Sequence, residues 1–127
     1  TLIAVLRMTV FADSPVYREN ALMNANGFAL GTAFVLFGLF NAIFVGGFFR
    51  TVYRIGKSFI IYIVVNFVVI AVAEALHHFP GLSALNAFGT DAFGLQMGLL
   101  ILGMSIYVVL TYISFRKSCS RLERIDL

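Results

Sequence analysis

Between Gly27 and Phe49 the chain carries no charged residue, and then Arg50, Arg54 and Lys57 arrive together with no acid among them. A helix rises about 1.5 Å per residue, so this run is long enough to cross a hydrocarbon core of roughly 30 Å. A surface helix of a soluble protein shows a polar stripe on one face. This run is apolar on all faces, broken only by Thr32 and Asn41, which is the pattern of a helix in lipid. Short loops rich in Lys and Arg stay in the cytoplasm, so the basic group predicts which way the helix points.

The rest of the composition agrees. Hydrophobic residues make up 61% of the chain and charged residues 12%, about half the charged share of an ordinary soluble domain. The polar surface needed to cover a globule is missing, and an integral membrane protein is predicted. The net charge of +3 comes from basic residues at the ends of apolar runs. It is read as topogenic, and no nucleic-acid partner is expected. The single cysteine, Cys119, excludes an internal disulfide and most cysteine-based metal sites; it could carry a palmitoyl group, and an idle thiol is the plainer reading.

Taken in order, residues 1–12 are apolar apart from Arg7 and too short to cross a bilayer. They are expected to be the end of a truncated span, with a surface-lying helix as the alternative. No charged leader with a cleavage site is recognised. Residues 13–25 form an external connection, opened by the helix-start signal Asp13-Ser14-Pro15. Residues 26–127 form a transmembrane helix bundle with a basic tail. Its first span covers Gly27 to Phe49, its second Ser58 to Leu76 and its third Ala92 to Phe115. Both basic groups, Arg50–Lys57 and Arg116–Arg124, then fall on one side. The fold expected is an all-α polytopic membrane bundle of three full spans plus the end of a truncated one, with the carboxyl terminus cytoplasmic. The segment from His77 to Thr90 contains Pro80-Gly81 and Gly89 yet stays apolar, so it is expected to pack against protein or dip back into the membrane.

Few residues carry chemistry. Small residues let helix backbones approach closely in lipid, so the pairs Gly27/Gly31 and Gly94/Gly98 predict helix packing. Asn41 and Asn66 lie inside spans, and each predicts a hydrogen bond to a neighbouring helix. Glu74 and His77 stand three residues apart on one helix face, with His78 beside them. An ionisable residue within a span is a functional candidate, so Glu74 and His77, with Pro80, are candidates for an outer gate or a proton relay. The same Glu-x-x-His spacing builds carboxylate-bridged metal bundles, but those need the motif twice and further carboxylates. No second copy exists, and no metal is predicted. No nucleophile–base arrangement, phosphate loop or paired zinc ligands appear, so neither catalysis nor a cofactor is expected.

The run FGLFNAIFVGGFFRTVYRIGKSF resembles a segment of the small type-2 ABC transporter permeases of Gram-positive bacteria. There an apolar span leads through Phe-Asn and paired aromatics into a short basic turn. The matching positions are Phe40-Asn41, Phe48-Phe49, Tyr53, Gly56, Lys57 and Phe59. The ending SFRKSCSRLERIDL is similar to the family's closing pattern at Phe115, Lys117, Ser118, Asp126 and Leu127. The resemblance covers residues 26–127. It implies a subunit of six spans, of which this chain supplies the last three and the end of another. It also implies a second permease subunit as partner and a separate ABC ATPase subunit touching Arg50, Tyr53, Arg54 and Lys57. Transport, in the export direction, would follow from alternating access driven by that ATPase. Short re-entrant helices are implied between the last two spans, where His77–Thr90 lies. The family's main coupling helix has no counterpart in these residues, and none of the matching motifs defines a substrate. Two other readings compete: a small proton-coupled carrier, and a non-transporting regulatory or immunity subunit.

Overall fold

The computed structural model describes residues 2–10, 23–50, 55–88 and 90–125. These residues form helices joined by short turns, with no strand among them, and three of the helices are long and apolar enough to cross a membrane: Gly27–Phe48, Ile55–Leu76 and Phe93–Arg124. The chain is a multi-pass, all-helical membrane protein.

Burial follows the logic of lipid. Among the described residues the one buried hydrophobic side chain is Ala73, whereas Asn26, Ser58, His77, Gln96, Ser114 and Ser118 are all buried. Large apolar side chains face outward, with Phe37 62% and Phe67 70% exposed. A soluble protein does the reverse. In hydrocarbon the apolar side chains have nothing to escape, while each polar group must find a partner inside the protein.

The first and third spans run parallel in direct backbone contact. A Cβ added at Gly31 would lie 2.6 Å from the Leu99 carbonyl oxygen, and one at Gly103 would lie 2.5 Å from the Gly31 Cα. At Gly38 it would lie 3.1 Å from the Tyr107 Cα. Only hydrogen fits between the helices at these positions, and the close approach gives dispersion contact that lipid cannot replace. Gly94 and Gly98 take no part among the described residues, since a Cβ at either meets no atom within 4 Å. At 100° per residue they lie about half a turn from the face that carries Gln96, Gly103 and Tyr107. The expected packing stripe on the third span is therefore replaced by that face.

The second span returns antiparallel and holds the first mainly at one half. Phe40 and Tyr62 meet edge to face at 5.2 Å, and Phe44 and Phe59 at 6.1 Å. Toward the other half, Phe28, Thr32 and Val35 stand across an apolar groove of about 280 Å³ from Val68, Val72 and Leu76.

Two boundaries differ from expectation. The third helix does not end near Phe115 but continues unbroken to Ile125, 33 residues in all. Its last turns contain no glycine or proline and several good helix formers, and Arg121 ties them to the first span by donating to the Gly46 carbonyl at 2.6 Å. The first span is interrupted: Phe40–Val45 is a π-helix between the α-helices Gly27–Leu39 and Gly46–Phe48. At the amino end, Leu2–Thr9 forms a helix of 8 residues. Residues 11–22, which include most of the expected external connection, lie outside the described residues.

Candidate functional site

The antiparallel arrangement gives the bundle a cap end, near Asn26, Leu76 and Phe93, and a basic end, near Arg50, Lys57 and Arg121. Each has its own polar site.

At the cap end three amides bind the irregular segment between the second and third spans. Pro80-Gly81 ends the helix, with Gly81 at φ 91°, and a short 3-10 helix follows at Ser83–Asn86. That backbone cannot satisfy itself, so side chains complete it. The Asn26 Nδ2 donates to the carbonyls of Leu85 (2.9 Å) and Ala87 (3.0 Å). Its Oδ1 accepts from the Ala29 N–H at 3.0 Å, which caps the first span. Gln96 does the same from the third span. Its Nε2 donates to Ala84 O (2.7 Å) and Leu85 O (3.1 Å), and its Oε1 accepts from the Phe28 N–H at 2.7 Å. Asn24 donates two further bonds to Asn86, from its N–H to Oδ1 at 2.5 Å and from its Nδ2 to the carbonyl at 3.0 Å. Asn26 is 1% exposed and Gln96 2%. The apolar loop is thus packed on the span ends. The signal for this lay in the amides Asn24 and Asn26 before the apolar run and in Gln96, the lone amide of the third span, none of which sequence reasoning singled out.

Beside this cap, Glu74, His77 and His78 come together at the end of the second span, with one ligand atom from each lying within 4.8 Å of the others. The Met23 N–H donates to the Glu74 carboxylate, at 3.2 Å to Oε1 and 3.3 Å to Oε2. The His77 Nε2 lies 3.9 Å from Glu74 Oε1, outside hydrogen-bond range. The rings of His77 and His78 are 3.9 Å apart. His77 is 8% exposed, and neither of its ring nitrogens has a hydrogen-bond partner among the described residues. Of the expected gate residues, Glu74 and His77 are therefore neighbours, while Pro80 sits exposed in the turn beyond them.

Nearer the basic end, the π-helix frees backbone groups that the third span takes up. Gly46 N–H reaches back five residues to Asn41 O. That carbonyl also accepts from Ser114 Oγ at 2.5 Å, and Asn41 Nδ2 donates to Thr111 Oγ1 at 2.9 Å. These residues border a cavity of about 290 Å³ that also meets Phe115, Ser118 and Cys119. The Ser118 hydroxyl is buried there without a partner among the described residues. Asn66, by contrast, is half-buried, and no hydrogen bond reaches its side chain among the described residues.

At the basic end itself, Arg50 and Lys57 line a cavity of about 280 Å³ with Ile43, Gly47, Ser58 and Ile61. Tyr53 and Arg54, expected beside them, lie outside the described residues. Among the described residues no acidic side chain lines this notch. Compared with known proteins, the chain matches no family model, no curated protein and no solved structure.

Proposed function

We propose that the chain is membrane-spanning material of an ABC-type export permease, without catalytic activity of its own, acting with a second permease subunit and driven by a separate ATPase subunit. The observation that supports this reading is the cationic notch of Arg50 and Lys57. It lies on the turn between the first two spans, which the family resemblance sets against the ATPase. A cationic concavity at the end of two apolar helices suits a protein partner with acidic side chains, because complementary charge steers and registers such contacts. The long third helix adds Arg116, Lys117, Arg121 and Arg124 at the same end. By the positive-inside rule this end is cytoplasmic, and the cap end faces outward.

Two experiments test the reading. The full-length protein, purified from its native membrane, should bring an ATPase with it, and reversing both charges (Arg50→Glu with Lys57→Glu) should reduce the ATPase recovered by about tenfold or more. Recovery of no nucleotide hydrolase, or of the same amount with the reversed pair, overturns the assignment. For orientation, in a Cys119→Ser background, Gly56→Cys and Glu123→Cys should resist a membrane-impermeant thiol reagent in intact cells, and Leu82→Cys should react. Labelling of Gly56→Cys and Glu123→Cys on opposite faces overturns the topology.

A further inference from the structure

The His77 imidazole is the least accounted-for polar group in the bundle. Asn26 and Gln96 are as deeply buried, and each makes three hydrogen bonds. Among the described residues the His77 ring makes none, although both its nitrogens are out of reach of solvent. A buried polar group left unpaired forfeits its solvation with nothing in return. What lies against it is a carboxylate and a second imidazole. Their placement follows from the helix: residues i, i+3 and i+4 share one face, so Glu74 presents its side chain to His77 and His78.

We propose that Glu74, His77 and His78 form a binding site for a divalent ion of the zinc class, with two imidazole nitrogens and one carboxylate oxygen as ligands. Three features favour it. The donor set is the borderline N,N,O combination that suits zinc and copper better than calcium or magnesium, which want oxygen alone. Ligand atoms of a tetrahedral zinc site lie about 3.4 Å apart, as follows from bonds of about 2.0–2.2 Å. The three groups here, within 4.8 Å, need only a small inward turn. His78 is exposed and free to make it. Finally, the Glu74 carboxylate is already oriented by the Met23 N–H, the kind of outer hydrogen bond that aims a metal ligand. A dinuclear bundle needs the Glu-x-x-His motif twice, which this chain lacks. A mononuclear site needs three protein ligands, and a fourth position stays open for water or an anion. The site faces the cap end, away from the basic notch, and stands independently of the transport reading.

The test is zinc titration of the full-length protein in detergent, purified with a tag that contains no histidine and carrying Cys119→Ser. One Zn²⁺ per chain is expected, with Ca²⁺ failing to compete. His77→Gln and Glu74→Gln should each weaken binding by about tenfold to 100-fold. X-ray absorption of the zinc-loaded protein should show two imidazoles and an oxygen donor, a readout that does not depend on any variant folding. Absence of stoichiometric zinc, unchanged affinity in His77→Gln, or a coordination shell without imidazole overturns the proposal.

Discussion

The amide cap and the braced π-helix use the same bond, a side chain reaching a main-chain group across two helices, for opposite reasons. At the cap the backbone is irregular because Pro80-Gly81 stopped a helix, and Asn26 and Gln96 replace the missing ladder. Each amide is filled on its donor and acceptor sides, and the loop is held from both spans at once. In the π-helix the backbone is still helical but widened, its bonds reaching back five residues instead of four, and Asn41, Thr111 and Ser114 gather what that leaves over. This second set is not closed. It borders a cavity, and the Ser118 hydroxyl in that cavity has no partner among the described residues. The lesson is that polar residues in a bilayer follow broken backbone. How completely they are satisfied separates a fixed joint from an adjustable one. π-helices concentrate at functional sites, and here it is the less satisfied region that contains one.

The contrast can be broken in stages. Both regions hang on the contact of the first and third spans, so Gly31→Leu should do most damage. It drives a side chain into Leu99 and Gly103 and should cost more than about 4 kcal/mol, read as loss of the folded monomer in detergent. Gly98→Leu, on the open face, should leave the monomer intact. Next, Gln96→Leu strands the Phe28 N–H, leaves Ala84 O and Leu85 O with one donor fewer each, and should cost about 2–3 kcal/mol in unfolding free energy. Thr111→Val removes a single interhelical bond from the open set and should cost only about 1 kcal/mol. An equal cost for Gln96→Leu and Thr111→Val would erase the distinction between the two regions. Smallest and of opposite sign, Ala92→Gly should stabilise. Ala92 holds a φ of 52° at the start of the third span, a left-handed conformation that costs a residue with a Cβ about 1 kcal/mol.

How much of this could be read from the residues varies with the range of the interaction. The three spans depend on local composition, and the uncharged runs marked them to within a few residues except at the inner end of the third. Gly27 and Gly31 announced a close approach, yet they could not say to what. The answer involves the rotation of the third helix, a property of the whole bundle. By that rotation Gly94 and Gly98 point away and Gly103 points in. The helix past Phe115 was hidden because a basic run reads equally well as a tail. Arg121 on Gly46 is a contact over 75 positions that no local window contains. The cap was missed for a similar reason: asparagine before glycine reads first as a turn, and only the fold brings Asn26 beside the loop at 85–87.

One rigid rod joins these places. The helix Phe93–Ile125 carries Gln96 in the cap and Arg121 beside the end of the first span, separated by about 37 Å of continuous helix at 1.5 Å per residue. Pivoted at its glycine contact, such a rod is a lever. By simple geometry, a swing of about 10° between its ends displaces one relative to the other by about 6 Å, more than a full helical turn of travel. The molecule therefore possesses a mechanical linkage between its two surfaces that needs no relay of side chains through the lipid.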